Sequence, residues 1–212
     1  MGDPPIEIVR LDASRIDDAA DVLARAFFDY PIWPWMAPDE ARRREVMPWF
    51  MRMSLRWGLV AAETYTTQDV AGVAMWEMLP ERDVDLGDAE LESMWNSLPE
   101  RMGAEGIARF HAMIDTQRPI RERECAGAPM WYLPWLGVEP GVQRSGVGVA
   151  LLADMFTRAD ASNVPCLLET EKEANVPYYE RQGFRVVASG VLPLDGPGFW
   201  TMRREPGASR AT

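Results

Sequence analysis

The chain has 212 residues, 47% hydrophobic and 26% charged, which are the proportions of a globular protein and exclude a disordered or fibrous one. Lys plus Arg total 22 against 33 Asp plus Glu, a formal charge of −11 that argues against nucleic acid or an anionic membrane surface as a partner. Two cysteines, Cys125 and Cys166, and one histidine, His111, supply neither a disulfide framework nor a metal-ligand set, so no metal is expected and the setting implied is reducing and cytoplasmic.

Met1 to Pro5 carries neither the basic nor the apolar stretch of an export signal, and no apolar run approaches the ~20 residues that span a bilayer. Ile6 to Leu11 alternates apolar and polar, which predicts a strand with one buried face. Ser14 predicts the N-cap of a first helix, with Ile16, Ala19, Ala20, Leu23, Phe27 and Tyr30 at helical spacing up to Pro31. Pro31 to Pro38 holds three prolines and two tryptophans, too many prolines for regular helix and too much apolar surface for a solvated loop. Asp39 predicts the cap of a second helix through Val46, Met47, Phe50, Met53 and Trp57, kinked at Pro48. Leu59 to Thr67 and Val70 to Met78, parted by Gln68-Asp69, predict an antiparallel hairpin. Past Pro80, a helix starts at Asp88 and stops at Pro99, and another carries Ile107, Phe110, His111 and Ile114 on one face.

Met130 to Val138 alternates so little that it predicts a central strand buried on both faces. Pro134 inside it cannot donate to a sheet ladder, so it predicts a bulge or a break in pairing. A glycine loop from Gly141 to Gly148, a helix from Val149 to Ala161 and a short buried strand from Pro165 to Glu169 then complete a βαβ unit. A short helix around Val176 to Arg181 ends at Gly183, and Phe184 to Leu192 with Gly198 to Arg203 predict a closing hairpin. The expected organisation is one α/β domain over residues 1–205 and a disordered tail over 206–212.

Gln143-Arg144-Ser145-Gly146-Val147-Gly148 stands between a strand and a helix, where glycines let the backbone approach an anion and the amides of the first helical turn point at it. The loop lacks the Lys of a Walker motif and the third glycine of the Rossmann fingerprint. By itself it is either an anion cradle or a turn that merely starts a helix.

Further residues decide in favour of the cradle. Leu136-Gly137-Val138-Glu139-Pro140 followed by Gln143-x-x-Gly146-x-Gly148 resembles the acetyl-CoA-binding motif of the GCN5-related N-acetyltransferases, and Asn175-x-x-x-Tyr179-x-x-x-Gly183-Phe184 resembles that superfamily's second signature. Within it, Trp131-Tyr132-Leu133, Leu168-Glu169-Thr170 and Asn175 to Arg181 look most like the puromycin N-acetyltransferase group. The likeness is strong from Met130 to Arg203 and loose from Pro80 to Pro129.

The resemblance implies a mixed sheet of about seven strands in which two neighbouring parallel strands splay apart, flanked by helices. It implies acetyl-CoA as cosubstrate, held by the backbone of Leu136, Gly137 and Val138, by the loop Gln143, Arg144, Ser145, Gly146, Val147 and Gly148, and by Asn175 unless that residue caps the following helix. Tyr179 matches the general acid that protonates the departing thiolate, with plain packing as the other reading of the same residue. Glu169 is the first choice for a base, its alternative being a solvated strand-end carboxylate; Glu63 and Glu77 are weaker choices.

Trp33, Trp35, Trp49 and Trp57 crowd the chain between the first helices, which predicts either an aromatic pocket for a bulky amine or core packing. His111 is read as a core or pocket-lining residue, and less readily as a base. The expected function is acetyl transfer to a primary amine of a small molecule, an amine-bearing antibiotic among the options, by a monomer or homodimer. The alternatives are a protein or peptide N-acetyltransferase and a CoA-binding sensor without turnover.

Overall fold

A computed structural model describes residues 6–80 and 87–208. Seven strands build one sheet: β1 (Ile8–Arg10), β2 (Glu63–Thr67), β3 (Gly72–Leu79), β4 (Met130–Val138), β5 (Cys166–Thr170), β6 (Arg185–Val191) and β7 (Gly198–Arg204). Their order is β1-β2-β3-β4-β5-β7-β6, and among the described residues β4–β5 is the one parallel pair. The helices are α1 (Ile16–Phe27), α2 (Ile32–Met36), α3 (Glu40–Ala61), α4 (Ala89–Cys125), α5 (Val147–Ser162) and α6 (Val176–Arg181). The expected fold class and strand number are therefore met. Among the described residues, no helix is long and apolar enough to cross a membrane.

Several local expectations are corrected. The first cap is Asp12, whose carboxylate accepts from the Ser14 N–H and hydroxyl and starts a 3-10 turn leading into α1. Ile32–Met36, within the Pro31 to Pro38 stretch, is helical after all. Pro34 sits in the first turn of α2, where an N–H has no intrahelical acceptor to lose. Leu59 to Ala61 finishes α3 and does not begin the strand, because a short apolar run has no strand period of its own and favours continuing a helix already formed.

Asp39 and Asp88 cap α3 and α4 as expected. Pro99 does not stop α4. The carbonyl it leaves without a helical partner belongs to Trp95, which is 40% exposed and open to water. The break in α4 comes instead at Gly103, with φ +72 and ψ 167. Of the tail expected to be disordered, residues 206–208 form a turn that Asp160 holds through the Gly207 N–H at 2.9 Å; residues 209–212 lie outside the described residues.

The bulge at Pro134 positions everything that follows. Met75 pairs with Trp135 and Glu77 with Tyr132, so Leu133 and Pro134 together oppose Trp76. Pairing of β4 with β5 runs from Trp131–Cys166 to Leu133–Leu168 and ends there, while β5 continues beside β7 to Thr170–Trp200. The extra residue also shifts the alternation of side chains. Leu133 and Leu136 both join the apolar cluster under α5, whereas Trp135 turns to the opposite face, which α1, α2, α3 and α4 cover.

α1 crosses that opening at Gly137, where a Cβ would stand 2.6 Å from Leu23 Cδ2. Gly137→Ala is expected to destabilise the fold by about 1–3 kcal/mol through overpacking. Urea unfolding of both proteins checks it, and an unchanged midpoint would show that α1 can retreat freely.

Candidate active site

The opening between β4 and β5 leads into a cavity of about 1090 Å³. Its floor is the sheet face under α1–α4, where alternate residues of three strands project together: Met75 and Glu77 from β3, Tyr132 and Trp135 from β4, Glu169 from β5 and Glu171 just beyond it. Phe27, Tyr30 and Phe50 close one side. Phe110, Met113, Ile114, Gln117, Arg118 and Arg121 of α4 form a roof, with Trp57 and Trp95 at the rim. The stretch with the loosest family likeness thus supplies one whole wall.

At the other end of the same cavity lie Leu136, Gly137 and Val138, freed from β5, then Gln143, Arg144, Gly146, Gly148 and Val149. Gly146 has φ +95, a left-handed conformation that lets the chain turn abruptly into α5 and leaves first-turn amides without helical acceptors. Arg144, exposed, places positive charge at this mouth of an otherwise acidic chain. Of the expected cosubstrate contacts, Ser145 and Val147 lie outside the cavity lining. The Ser145 hydroxyl donates to the Val142 carbonyl, and Val147 packs into the core under α5. Asn175 lines the cavity and donates to Thr170 Oγ1 at 3.3 Å, without a side-chain cap on α6.

Tyr179 sits on α6 at the cavity wall, 8% exposed, between the rings of Tyr178 and Phe184. Burial, reinforced by Tyr30, Tyr178 and Glu171, pushes its phenol well above its ordinary value, so it stays protonated. The Tyr30 hydroxyl lies 2.6 Å from Thr170 Oγ1 and accepts the Glu171 N–H at 3.0 Å, tying the end of α1 to the end of β5.

Glu169 is no solvated strand-end carboxylate. Its side chain is 3% exposed, Arg121 approaches it at 3.4 Å, and that guanidinium lies 5.1 Å from the centre of the Tyr132 ring. Burial raises its pKa, while Arg121 and the hydrogen bond from Tyr132 pull it back. Glu171, two residues on, accepts from the Gln117 amide at 2.8 Å, and burial lifts its carboxyl to about 7. Glu77 accepts from Trp57 Nε1 at 3.1 Å. Among the described residues, no group of acidic, histidine or cysteine side chains is placed to hold a metal.

Trp33, Trp35 and His111, expected in the pocket, lie outside its lining. Trp33 is fully buried against Phe50, and Trp35 donates to the Leu194 carbonyl, both spent on seating α2. His111 faces outward next to Phe110, the residue α4 turns inward. Of the four tryptophans singled out, Trp57 lines the cavity, and Trp95 and Trp135 join it there. Glu171 and Gln117 were missed altogether; the only signal for the first was the i, i+2 spacing from Glu169, which puts both on one strand face.

No protein-family model matches the chain. An uncharacterized N-acetyltransferase of Schizosaccharomyces pombe is 27% identical over 194 residues, covering 88% of this chain and 77% of that protein. An acetyltransferase of Corynebacterium glutamicum, described as histone acetyltransferase HPA2 and related acetyltransferase, superposes with a TM-score of 0.64 at 19% identity over 98% of this chain and 100% of its own. The chain is thus similar in sequence to an N-acetyltransferase and in fold to an acetyltransferase of known structure. Arylalkylamine N-acetyltransferase 2 of Aedes aegypti shares the fold at a TM-score of 0.66 and 14% identity, over 96% of this chain and 100% of its own. The seven-stranded sheet with one parallel pair, flanked by helices, is the fold it shares with these acetyltransferases.

The raised carboxyl of Glu171 has a thermodynamic consequence. Between the ordinary carboxyl value of 4.5 and about 7 the folded chain holds a proton that the unfolded chain has released, so stability falls as pH rises through that window. Glu171→Gln is expected to stabilise the protein at pH 8 by about 2 kcal/mol, with the gain gone near pH 4. Thermal melts at the two pH values check it, and equal melting shifts at both would refute it.

Proposed function

We propose that this protein transfers the acetyl group of acetyl-CoA to a primary amine of a small, largely apolar molecule by direct attack. The observation that carries the reading is the continuity of one cavity from the glycine loop, past the gap between β4 and β5, into a chamber walled by Trp57, Trp95, Trp135, Phe50 and Phe110. In this reading the diphosphate rests on the amides at Gly146 to Gly148 beside Arg144. The peptide edges of Leu136 to Val138, left without a β5 partner, take the pantetheine amides and polarise the thioester carbonyl.

Tyr179 gives its proton to the departing sulfur. A buried phenol held protonated suits that task, and no acyl-enzyme is needed. Glu77 and Glu171 bring carboxyl groups to an aromatic chamber, a combination that suits a cationic amine before it loses its proton. An antibiotic amine falls within this class, in keeping with the resemblance to the puromycin N-acetyltransferase group. A peptide acceptor is less favoured, because α4 roofs the chamber that an extended chain would have to cross.

Thiol release from acetyl-CoA across a panel of aromatic, aliphatic and peptide amines tests the substrate class, and turnover confined to peptides would overturn it. Tyr179→Phe is expected to lower kcat by roughly 100-fold or more with acetyl-CoA affinity preserved; wild-type turnover would remove the acid role. Trp95→Ala, at an exposed rim position, is expected to raise the acceptor KM several-fold and leave the acetyl-CoA KM unchanged.

A further inference from the structure

Two carboxylates reach the chamber from the end of β5, and they differ in what holds them. Glu169 is almost wholly buried and already committed to Arg121 and Tyr132. Glu171 is half-buried on the cavity wall, and its Oε1 takes a hydrogen bond from Gln117, a neutral amide that is itself 3% exposed. Among the described residues no arginine, lysine or histidine forms an ion pair with Glu171. A carboxylate that shares a guanidinium has little use for another proton; one that faces an amide and an amine keeps its basicity.

We propose that Glu171, set by Gln117, is the proton acceptor that turns the bound ammonium into the attacking amine. The inference rests on the transferase reading and adds the base that reading lacks. Glu171 takes one proton from R–NH3+. The freed lone pair forms the C–N bond at the thioester carbonyl, the C–S bond breaks, and Tyr179 gives its proton to sulfur. The second nitrogen proton returns to Tyr179 through water in the cavity, and Glu171 releases its own to solvent, so amide, thiol and one proton leave.

The charged and titratable groups around Glu171 are Glu169 on its own strand, Lys172 next in the chain, Tyr30 after α1, Arg118 and Arg121 on α4, and Tyr179 on α6. Glu169 pushes the Glu171 carboxyl up, and burial does so more strongly, to about 7. That lies close to the pH at which a base must both accept and release a proton.

The test uses the full-length protein with Glu171→Gln and Glu169→Gln variants. Glutamine keeps an oxygen for the Gln117 bond, and tryptophan fluorescence titrated with CoA confirms that each variant folds and binds. Thiol release is followed from about pH 6 to about pH 10 with the best amine of the panel. Glu171→Gln is expected to cut kcat/KM about 100-fold near pH 7 and to recover as rising pH supplies free amine from solution. Infrared difference spectra without acceptor are expected to show a carboxyl that titrates near neutrality in the wild type and is lost only in Glu171→Gln.

An unchanged pH profile in Glu171→Gln, or loss of the acid limb and of the infrared band in Glu169→Gln alone, overturns the assignment and leaves the transferase reading standing. A wild type that binds acetyl-CoA and releases thiol with no amine overturns both.

Discussion

Pro134 has no N–H to give to a ladder, and it sits in the middle of the central strand of the sheet. Two residues of β4 therefore face one of β3, and from that point β4 and β5 no longer pair. A row of backbone groups at Leu136 to Val138 is left without a strand partner on one side and lines the cavity. The shifted alternation turns Trp135 toward α1 and α4, which is why the chamber has an aromatic floor.

The rest of the site is assembled around that gap by short-range ties. Tyr30, Thr170, Asn175 and the Glu171 backbone form one hydrogen-bonded knot joining α1, β5 and the approach to α6. Tyr179 is held against the same knot by Tyr178 and Phe184. These side chains thus sit on the ends of regular elements packed against one another, which restricts the freedom of each. Arg144 stands beside the glycine loop, so a negatively charged chain still presents positive charge there.

α4 is the element that makes this chain particular. Its break at Gly103 lets the second part bring Phe110, Gln117 and Arg121 over the sheet. From there it differentiates two otherwise equivalent carboxylates, giving Glu169 a guanidinium and Glu171 an amide. The difference of partner, and not of residue type, sets the two carboxyls apart.

The sequence by itself determined the sheet, the βαβ unit, the glycine loop and the bulge at Pro134, because each rests on local chemistry: strand alternation, a missing donor, a backbone that only glycine adopts. It also picked out Leu136 to Val138, Gly146 and Tyr179, which motif spacing carries. What only the tertiary structure decided is which side chains meet across the chamber. Trp33 and Trp35 are as aromatic as Trp57 and Trp95, yet one pair seats α2 and the other faces the cavity. Which carboxylate meets a cation depends on where α4 lands on the sheet. That docking is set by packing between residues some fifty positions apart, as for Gln117 and Glu171 or Arg121 and Glu169, and no local pattern in the chain encodes it.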